Sequence, residues 1–397
     1  MEIFSPTLYL EINKSEYIFT VGDKDENNNF KLIYKSSEEI QGINNYKITD
    51  FDLISNIIKK NIFIIEKKIN FVFKDIILII DTFNCSYVNL TGYKKLNSSQ
   101  ILKENITYIL NSLKSNIDKF ESQKKIIHIF NSKYCLDKEE FENLPIGLYG
   151  DFYSQELSFI LLNNNDYKNL NKIFEICNLK IKKVLIKSFI EGSHLSDSNL
   201  NLKTFFQVKI NSECSKISYF ENDALKIEQN FNFGSDIILN DIAKITSLNK
   251  VIIKKFLDNQ LNKVIQDDEL IEDEYFEKEN YIKIKKKLIF EIASARIQEF
   301  AEIFITKNIN ISSYQEKNRT IFLYVNDKSN FAAFKESYGI FFSKMNFFQV
   351  RLEENISTNN LINCANKLAH FGWKKEAVPV SHPKKSTIAR FFDKMFG

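Results

Sequence analysis

The feature that most constrains this chain is a pattern that occurs twice. Near the start, "LYLEINKSEYIFTVG" alternates apolar and polar residues on both sides of "NKS". That predicts a strand, a tight turn and a second strand, and "NFKLIYKS" predicts a third. "DFDLISNIIKKNIFIIEKKI" then has helical spacing, and "DIILIIDTF" reads as a buried strand. Past residue 200 the order recurs. "KTFFQVKI", "SKISYF" and "ALKIEQNF" form a meander with turns at "NSEC" and "END", and a helix follows in "GSDIILNDIAKITSL", capped by Ser235 or Asp236. Two similar halves imply an internal duplication in an α/β fold. In that arrangement the first turn of each half faces its counterpart across a cleft, and such clefts commonly bind nucleotides.

Between the halves lies a more polar block, read as a small inserted domain. It holds an amphipathic helix beginning near Ser98 or Ser99, a strand "KKIIHIFNSKYCLD", and a turn and strand "LPIGLYGDFYSQELSFILL" marked by Pro145, Gly147 and Gly150. A helix "NDYKNLNKIFEICNLK" and a strand or short element "KKVLIKSFIEG" closing at Gly192 come next, and the polar "SHLSDSNLN" reads as a boundary. In the second half, a charge-dense stretch, "QDDELIEDEYFEKENYIKIKKK", leads into a strong helix, "LIFEIASARIQEFAEIFITK". The strand "RTIFLYVND" and the helices "SNFAAFKESYGIFF" and "TNNLINCANKLAHFG" complete it.

Composition removes several classes. At 397 residues the chain needs more than one core. A net charge of +3 creates no global field that would recruit nucleic acid. The five cysteines, Cys85, Cys135, Cys177, Cys214 and Cys364, are scattered without CxxC spacing, and the four histidines are isolated without HExxH. Reduced thiols in a cytosolic protein and no metal site are expected. The start is acidic early and lacks a basic n-region, so no secretory signal peptide is expected. The longest apolar run, Ile76 to Ile80, is far too short to span a bilayer. Glycines number 10, about 2.5% against a usual ~7%. A site that cradles phosphate on backbone amides needs glycines at its turns, and this chain has few.

The last dozen residues form a second distinctive feature. On a helix, Ile388, Phe391, Phe392, Met395 and Phe396 fall at i, i+3, i+4, i+7 and i+8, one apolar stripe. Lys384, Lys385, Arg390 and Lys394 make a basic side, Ser386 can cap, and "VPVSHP" ending at Pro383 separates the helix from the body. Such a helix is ~18 Å long, too short to cross a bilayer and long enough to lie in its interface. The alternative is a helix that docks on its own core or on a partner.

The order of elements and several local matches resemble the FtsA family of bacterial cell-division proteins, which have an actin-like ATPase fold. "LPIGLYG" is similar to the family's Pro–x–Gly–Leu–x–Gly turn. "NFGSDIILNDIAK" resembles its Gly…Asp-Ile-Ala helix start, with Gly234 and Asp241 in place. "EIASAR", Glu291 to Arg296, resembles its Glu…Arg helix motif. "NCANKLAHFG" resembles its last core helix, and the tail its membrane-targeting helix. The resemblance implies an actin-like duplicated fold of two facing βββαβα-type domains. Its parts would be domain 1A (1–82 plus 164–192), an inserted FtsA-type subdomain 1C (83–163), domain 2A (193–240 plus 305–372), subdomain 2B (241–304), and a linker with a C-terminal amphipathic helix (373–397). It implies a self-assembling adaptor, peripheral on the inner face of the cell membrane at the division site. The adaptor would bind the C-terminal tail of FtsZ, membrane lipids and later division proteins, and no nucleic acid. The FtsZ tail would meet subdomain 2B, where Lys285, Lys286 and Arg296 offer cations to an acidic peptide; a solvated basic edge is the plainer alternative for that run.

The nucleotide site is where the sequence departs from the family. The first phosphate loop, acidic–Ile–Gly–Thr or similar in the family, is Glu11-Ile12-Asn13-Lys14 here. The second, Asp-Ile-Gly-Gly-Gly-Thr, is Lys209-Ile210-Asn211-Ser212-Glu213-Cys214. The third, a Gly-Gly after a strand, is Val325-Asn326. Asn13 and Asn211 can still adopt left-handed turns. Glu213 would set a negative charge beside a phosphate, Val325 would crowd the nucleotide, and Lys209 in place of an Asp removes a partner for Mg²⁺. ATP with Mg²⁺ is the cofactor the fold would take, and these losses argue against hydrolysis. Lys14 or Lys209 could instead neutralise phosphate directly, or the turns could be purely structural. An active actin-fold ATPase or kinase needs intact loops. A filament or pilus assembly adaptor of the same fold does not predict the tail.

Overall fold

A computed structural model describes residues 6–24, 30–81, 83–199, 201–259, 267–276, 279–314, 319–345 and 349–377. They fall into two compact units, residues 1–187 with 365–397, and residues 188–364.

The first unit opens with β1 (Thr7–Ile12), β2 (Glu16–Lys24) and β3 (Phe30–Glu39), a small hairpin of β4 (Ile43–Asn44) and β5 (Lys47–Ile48), then α1 (Phe51–Ile69) and β6 (Asp75–Ile80). Leu8, Tyr9, Leu10 and Ile76 to Ile79 are fully buried, as expected for strands covered on both faces. Asp50 caps α1 by accepting the Leu53 N–H at 2.9 Å. The helix ends at Asn70, which is left-handed with φ 56°. Ile54, Ile58, Ile62 and Ile65 form its buried stripe.

The inserted block follows as β7 (Cys85–Gln100), α2 (Lys103–Phe120), β8 (Lys124–Leu136), β9 (Glu139–Phe141) and β10 (Tyr149–Asn163). Its sheet, in the order β7-β10-β8-β9, has a core of its own with α2, built on Ile109, Leu113, Ile117, Tyr153, Leu157 and Phe159. Here the structure differs from the sequence reading. β7 runs through Ser98 and Ser99, so the helix starts at Lys103. Then come α3 (Asn164–Ile176), β11 (Lys180–Ile186) and α4 (Lys187–Ser198). "SHLSDS", read as a boundary, is the second half of α4, with Ser193, Leu195 and Ser196 buried.

The second unit contains β12 (Phe205–Ile210), β13 (Ser215–Glu221), β14 (Ala224–Phe231), α5 (Asp236–Thr246), α6 (Lys250–Asn259) and α7 (Lys286–Ala301), which continues as a π-helical turn. β15 (Thr320–Val325), α8 (Lys328–Lys344), β16 (Gln349–Leu352) and α9 (Thr358–Phe371) follow, the end of α9 belonging to the first unit. The two main sheets share one topology. β3-β2-β1-β6-β11 matches β14-β13-β12-β15-β16, each an antiparallel meander joined to two parallel strands. The duplication read from the sequence is therefore present in the fold.

After α9 the chain returns to the inserted block. The Asn131 N–H donates to the Lys375 carbonyl and the Ala377 N–H to the Ile129 carbonyl, both at 2.8 Å, so residues 375–377 cover an edge of β8. Glu376 accepts from Lys183 Nζ at 2.7 Å and bonds His128 Nδ1 at 3.2 Å. Among the described residues no helix is long and apolar enough to cross a membrane.

Candidate functional site

In the first unit, β1 carries Glu11 to its end and the turn Asn13–Ser15 joins it to β2. Asn13 Oδ1 accepts the Ser15 N–H at 2.9 Å, the Glu16 N–H at 2.8 Å and the Ser15 hydroxyl at 3.0 Å. Amides that a phosphate would need are therefore held by a side chain of the turn itself. Lys14 Nζ donates to the Tyr46 hydroxyl at 2.7 Å and lies over the Tyr46 ring. Glu11 is buried and pairs with Lys187 Nζ at 2.6 Å; the same ammonium is 3.9 Å from Asp81. A tethered cation thus sits beside two carboxylates at a strand end, where an Mg²⁺-binding site would need that negative charge unneutralised.

The second unit repeats the theme with its charges exchanged. Lys209, near the end of β12, pairs with Glu191 of α4 and lies over the Tyr324 ring. Asn211 closes the turn, its N–H donating to the Cys214 carbonyl at 2.9 Å. Asn326 Nδ2 donates to Asn211 Oδ1, and Asn355 Nδ2 donates to Asn326 Oδ1 at 2.6 Å, so three amides form a ladder. Glu213 is exposed, and Val325 is buried in the core of the unit.

The amides at the start of α5 are also engaged. The Ser235 N–H donates to the Asn211 carbonyl and the Asp236 N–H to the Ser212 carbonyl, each at 2.9 Å. A helix N-terminus is ordinarily a ready anion site; here two of its donors face backbone carbonyls. Gly234 permits the approach, because a Cβ there would lie 2.0 Å from the Asn211 oxygen. Gly234→Ala is expected to lower stability by roughly 2–3 kcal/mol through overpacking against backbone. Urea unfolding measures it, and a change below about 0.5 kcal/mol, the level of an ordinary surface substitution, would refute this contact.

The sequence reading missed the partners Lys187, Glu191, Tyr46 and Asn355. Glu11 and Lys187 are 176 positions apart, and only the oddity of a lysine in a buried strand, Lys209, hints that a carboxylate must be near.

The cations proposed for an acidic peptide are all engaged. Lys285 pairs with exposed Asp268 at 2.6 Å; Lys286 is 1% exposed and held by Glu269 at 2.7 Å and Glu272 at 2.5 Å. Arg296 bonds Asp241 at 2.5 Å and also pairs with Glu299. The tail residues Lys384, Lys385, Ile388, Arg390, Phe391, Phe392, Lys394, Met395 and Phe396 lie outside the described residues.

No protein-family model matches this chain. The cell division protein FtsA of Buchnera aphidicola from Schizaphis graminum is 20% identical over 234 residues, 59% of this chain and 56% of that protein. FtsA of Escherichia coli K12 is 20% identical over 235 residues, 59% of this chain and 55% of its own length. The chain thus spans a little over half the length of the curated relatives it matches. Among solved structures, a PilM–PilN type IV pilus biogenesis complex superposes with a TM-score of 0.53 at 8% identity, covering 92% of this chain and 98% of the other. That likeness concerns the fold alone. This chain has the actin-like fold, and over 59% of its length its sequence is similar to the FtsA cell-division proteins.

Proposed function

We propose that this protein is a cell-division adaptor that holds FtsZ filaments on the inner face of the cytoplasmic membrane and recruits later division proteins, without a nucleotide switch. The sequence similarity to FtsA carries the division role. The internally satisfied turns support the loss of nucleotide, because Glu11 and Lys209 already have counter-charges and the turn amides already have acceptors.

The tail would supply the membrane contact. Each basic residue near an anionic surface contributes ~1 kcal/mol, and the apolar stripe adds a few more at ~25 cal/mol per Å². Ordering a short helix opposes both. One copy binds weakly, and a row of self-assembled copies binds well through avidity. The FtsZ tail would dock on residues 241–304. Lys285 is exposed enough to exchange the Asp268 carboxylate for a peptide's at little cost, whereas Arg296 would first have to leave the half-buried Asp241. Lys286 would instead hold the acidic segment at 269–272 in place.

One titration tests the reading: a fluorescent ATP analogue with Mg²⁺, with and without anionic liposomes, on the full chain and on residues 1–377. The expected result is no saturable nucleotide binding at millimolar concentrations and liposome binding that needs residues 378–397. Micromolar nucleotide binding would sink the nucleotide-independent reading. Equal liposome binding by the shortened chain would sink the tail anchor.

A further inference from the structure

A cavity of about 190 Å³ opens within the second unit, which begins at Ser188 in α4, between that helix and the sheet. At ~30 Å³ per water it has room for about six waters or one small organic molecule. α4 contributes Glu191, β12 contributes Gln207 and Lys209, β15 contributes Tyr324, and the turn after β16 contributes Glu353 and Glu354.

Two independent observations point to a ligand in this cavity. Gln207 is 2% exposed; one end of its amide bonds the Tyr324 hydroxyl, and the other end has no hydrogen-bond partner among the described residues. Buried amides ordinarily have partners, because one without them is strongly disfavoured. The second observation is charge. Three carboxylates line the space, and the one lysine there is already committed to Glu191. Glu353 and Glu354 are exposed at the mouth and have no ion pair among the described residues. Leu195 and Ile356 add apolar surface. No trio of His, Cys, Asp or Glu among the described residues has metal-holding geometry, so the excess negative charge does not point to a directly ligated metal.

We propose that this cavity binds a small organic cation, a primary ammonium on a short alkyl chain, with the ammonium at Glu353 and Glu354 and a donor on the Gln207 amide oxygen. A diamine satisfies both ends. The alkyl part lies against Leu195 and Ile356. This proposal concerns one unit and stands whether or not the protein acts in division.

The test is isothermal titration of the full chain with 1,4-diaminobutane at constant ionic strength, with 1,4-butanediol and MgCl₂ as comparisons. Saturable millimolar binding is expected for the diamine and none for the diol. The double variant Glu353→Gln/Glu354→Gln changes only exposed side chains and is expected to weaken binding about tenfold, the size of one charge-assisted contact. Gln207→Leu, which removes the amide and fills part of the cavity, is expected to abolish binding without lowering the melting temperature. Equal binding of the diol, displacement of the diamine by equimolar MgCl₂, undiminished binding by the double variant, or no binding at all would each overturn the proposal.

Discussion

Glu376→Ala should release the end of the described chain from the inserted block and lower stability by about 3 kcal/mol, as expected when one member of a buried charged cluster is removed. Burial alone would raise the Glu376 carboxyl, but the His128 ring N–H and the Lys183 ammonium hold it down, from the usual 4.5 to about 2. A depression of that size corresponds to about 3 kcal/mol of stability. Because the folded value is the lower one, this contribution is complete above pH 4.5 and disappears as the pH falls toward 2. His128 acts in the same direction earlier. Burial pushes its imidazole below the usual 6.5 despite the neighbouring carboxylate, so the unfolded chain takes up a proton first as the pH drops below 6.5. Urea midpoints against pH should therefore fall in two stages, beginning near pH 6. In Glu376→Ala the stage below pH 4.5 should be smaller. A Glu376→Ala profile parallel to wild type would show that the cluster does not set the acid response.

The cluster matters because of where it lies. Ala377 is hydrogen-bonded to Ile129, and residue 378 begins the segment that ends in the apolar stripe. A membrane pull on the tail would act first on the edge of β8, through the bridge at Glu376. In the proposed adaptor the inserted block is thus the first part of the body to receive that load.

The sequence revealed the elements whose pattern was strong. β1 and β2 alternate cleanly, α1 carries isoleucines at helical spacing, and the run Ile76–Ile80 is apolar throughout, so these and the duplication were legible. β7 was not. Of its 16 residues only Gly92 and Leu96 are buried, because α2 covers a limited part of that strand, and a polar strand has no period to read. The second half of α4 was hidden for the opposite reason. Gly192 would clash with Phe220 if it had a Cβ, and buried Ser193 and Ser196 fit the same close packing, so small polar residues stand where a periodicity argument looks for leucine. α6 is only 10 residues long, and its stripe of Ile252, Ile253, Phe256 and Leu257 is too short to give a clear period. The scarcity of glycine at the turns after β1 and β12 was visible in the sequence. The ion pairs beside those turns were not, since Glu11–Lys187 and Lys209–Glu191 are tertiary pairs whose members lie far apart in the chain.

Lys209→Asp, the change that sets an aspartate beside Glu191, should destabilise the second unit by about 3–5 kcal/mol. The Glu191 side chain is 6% exposed and its counter-charge is Lys209. The substitution removes that charge and sets a second carboxylate against the first. Adding Glu191→Gln in the same chain should recover most of the loss, because a neutral amide neither repels the aspartate nor needs a cation. The double-mutant cycle should show coupling of about 2 kcal/mol or more, as for directly contacting charges. Thermal or urea unfolding of the four chains measures it. Independent, additive effects would mean that the pair contributes little and that position 209 is free to vary. Strong coupling has a further consequence. If each strand-end charge is tied to a buried partner, reversion of Lys209 alone passes through a destabilised chain. Recovery of an Mg²⁺-nucleotide site would then require a paired change at Glu191, and the freeing of Glu11 from Lys187 as well. On that argument the fold is stable around its own ion pairs, and a nucleotide would have to displace them to bind.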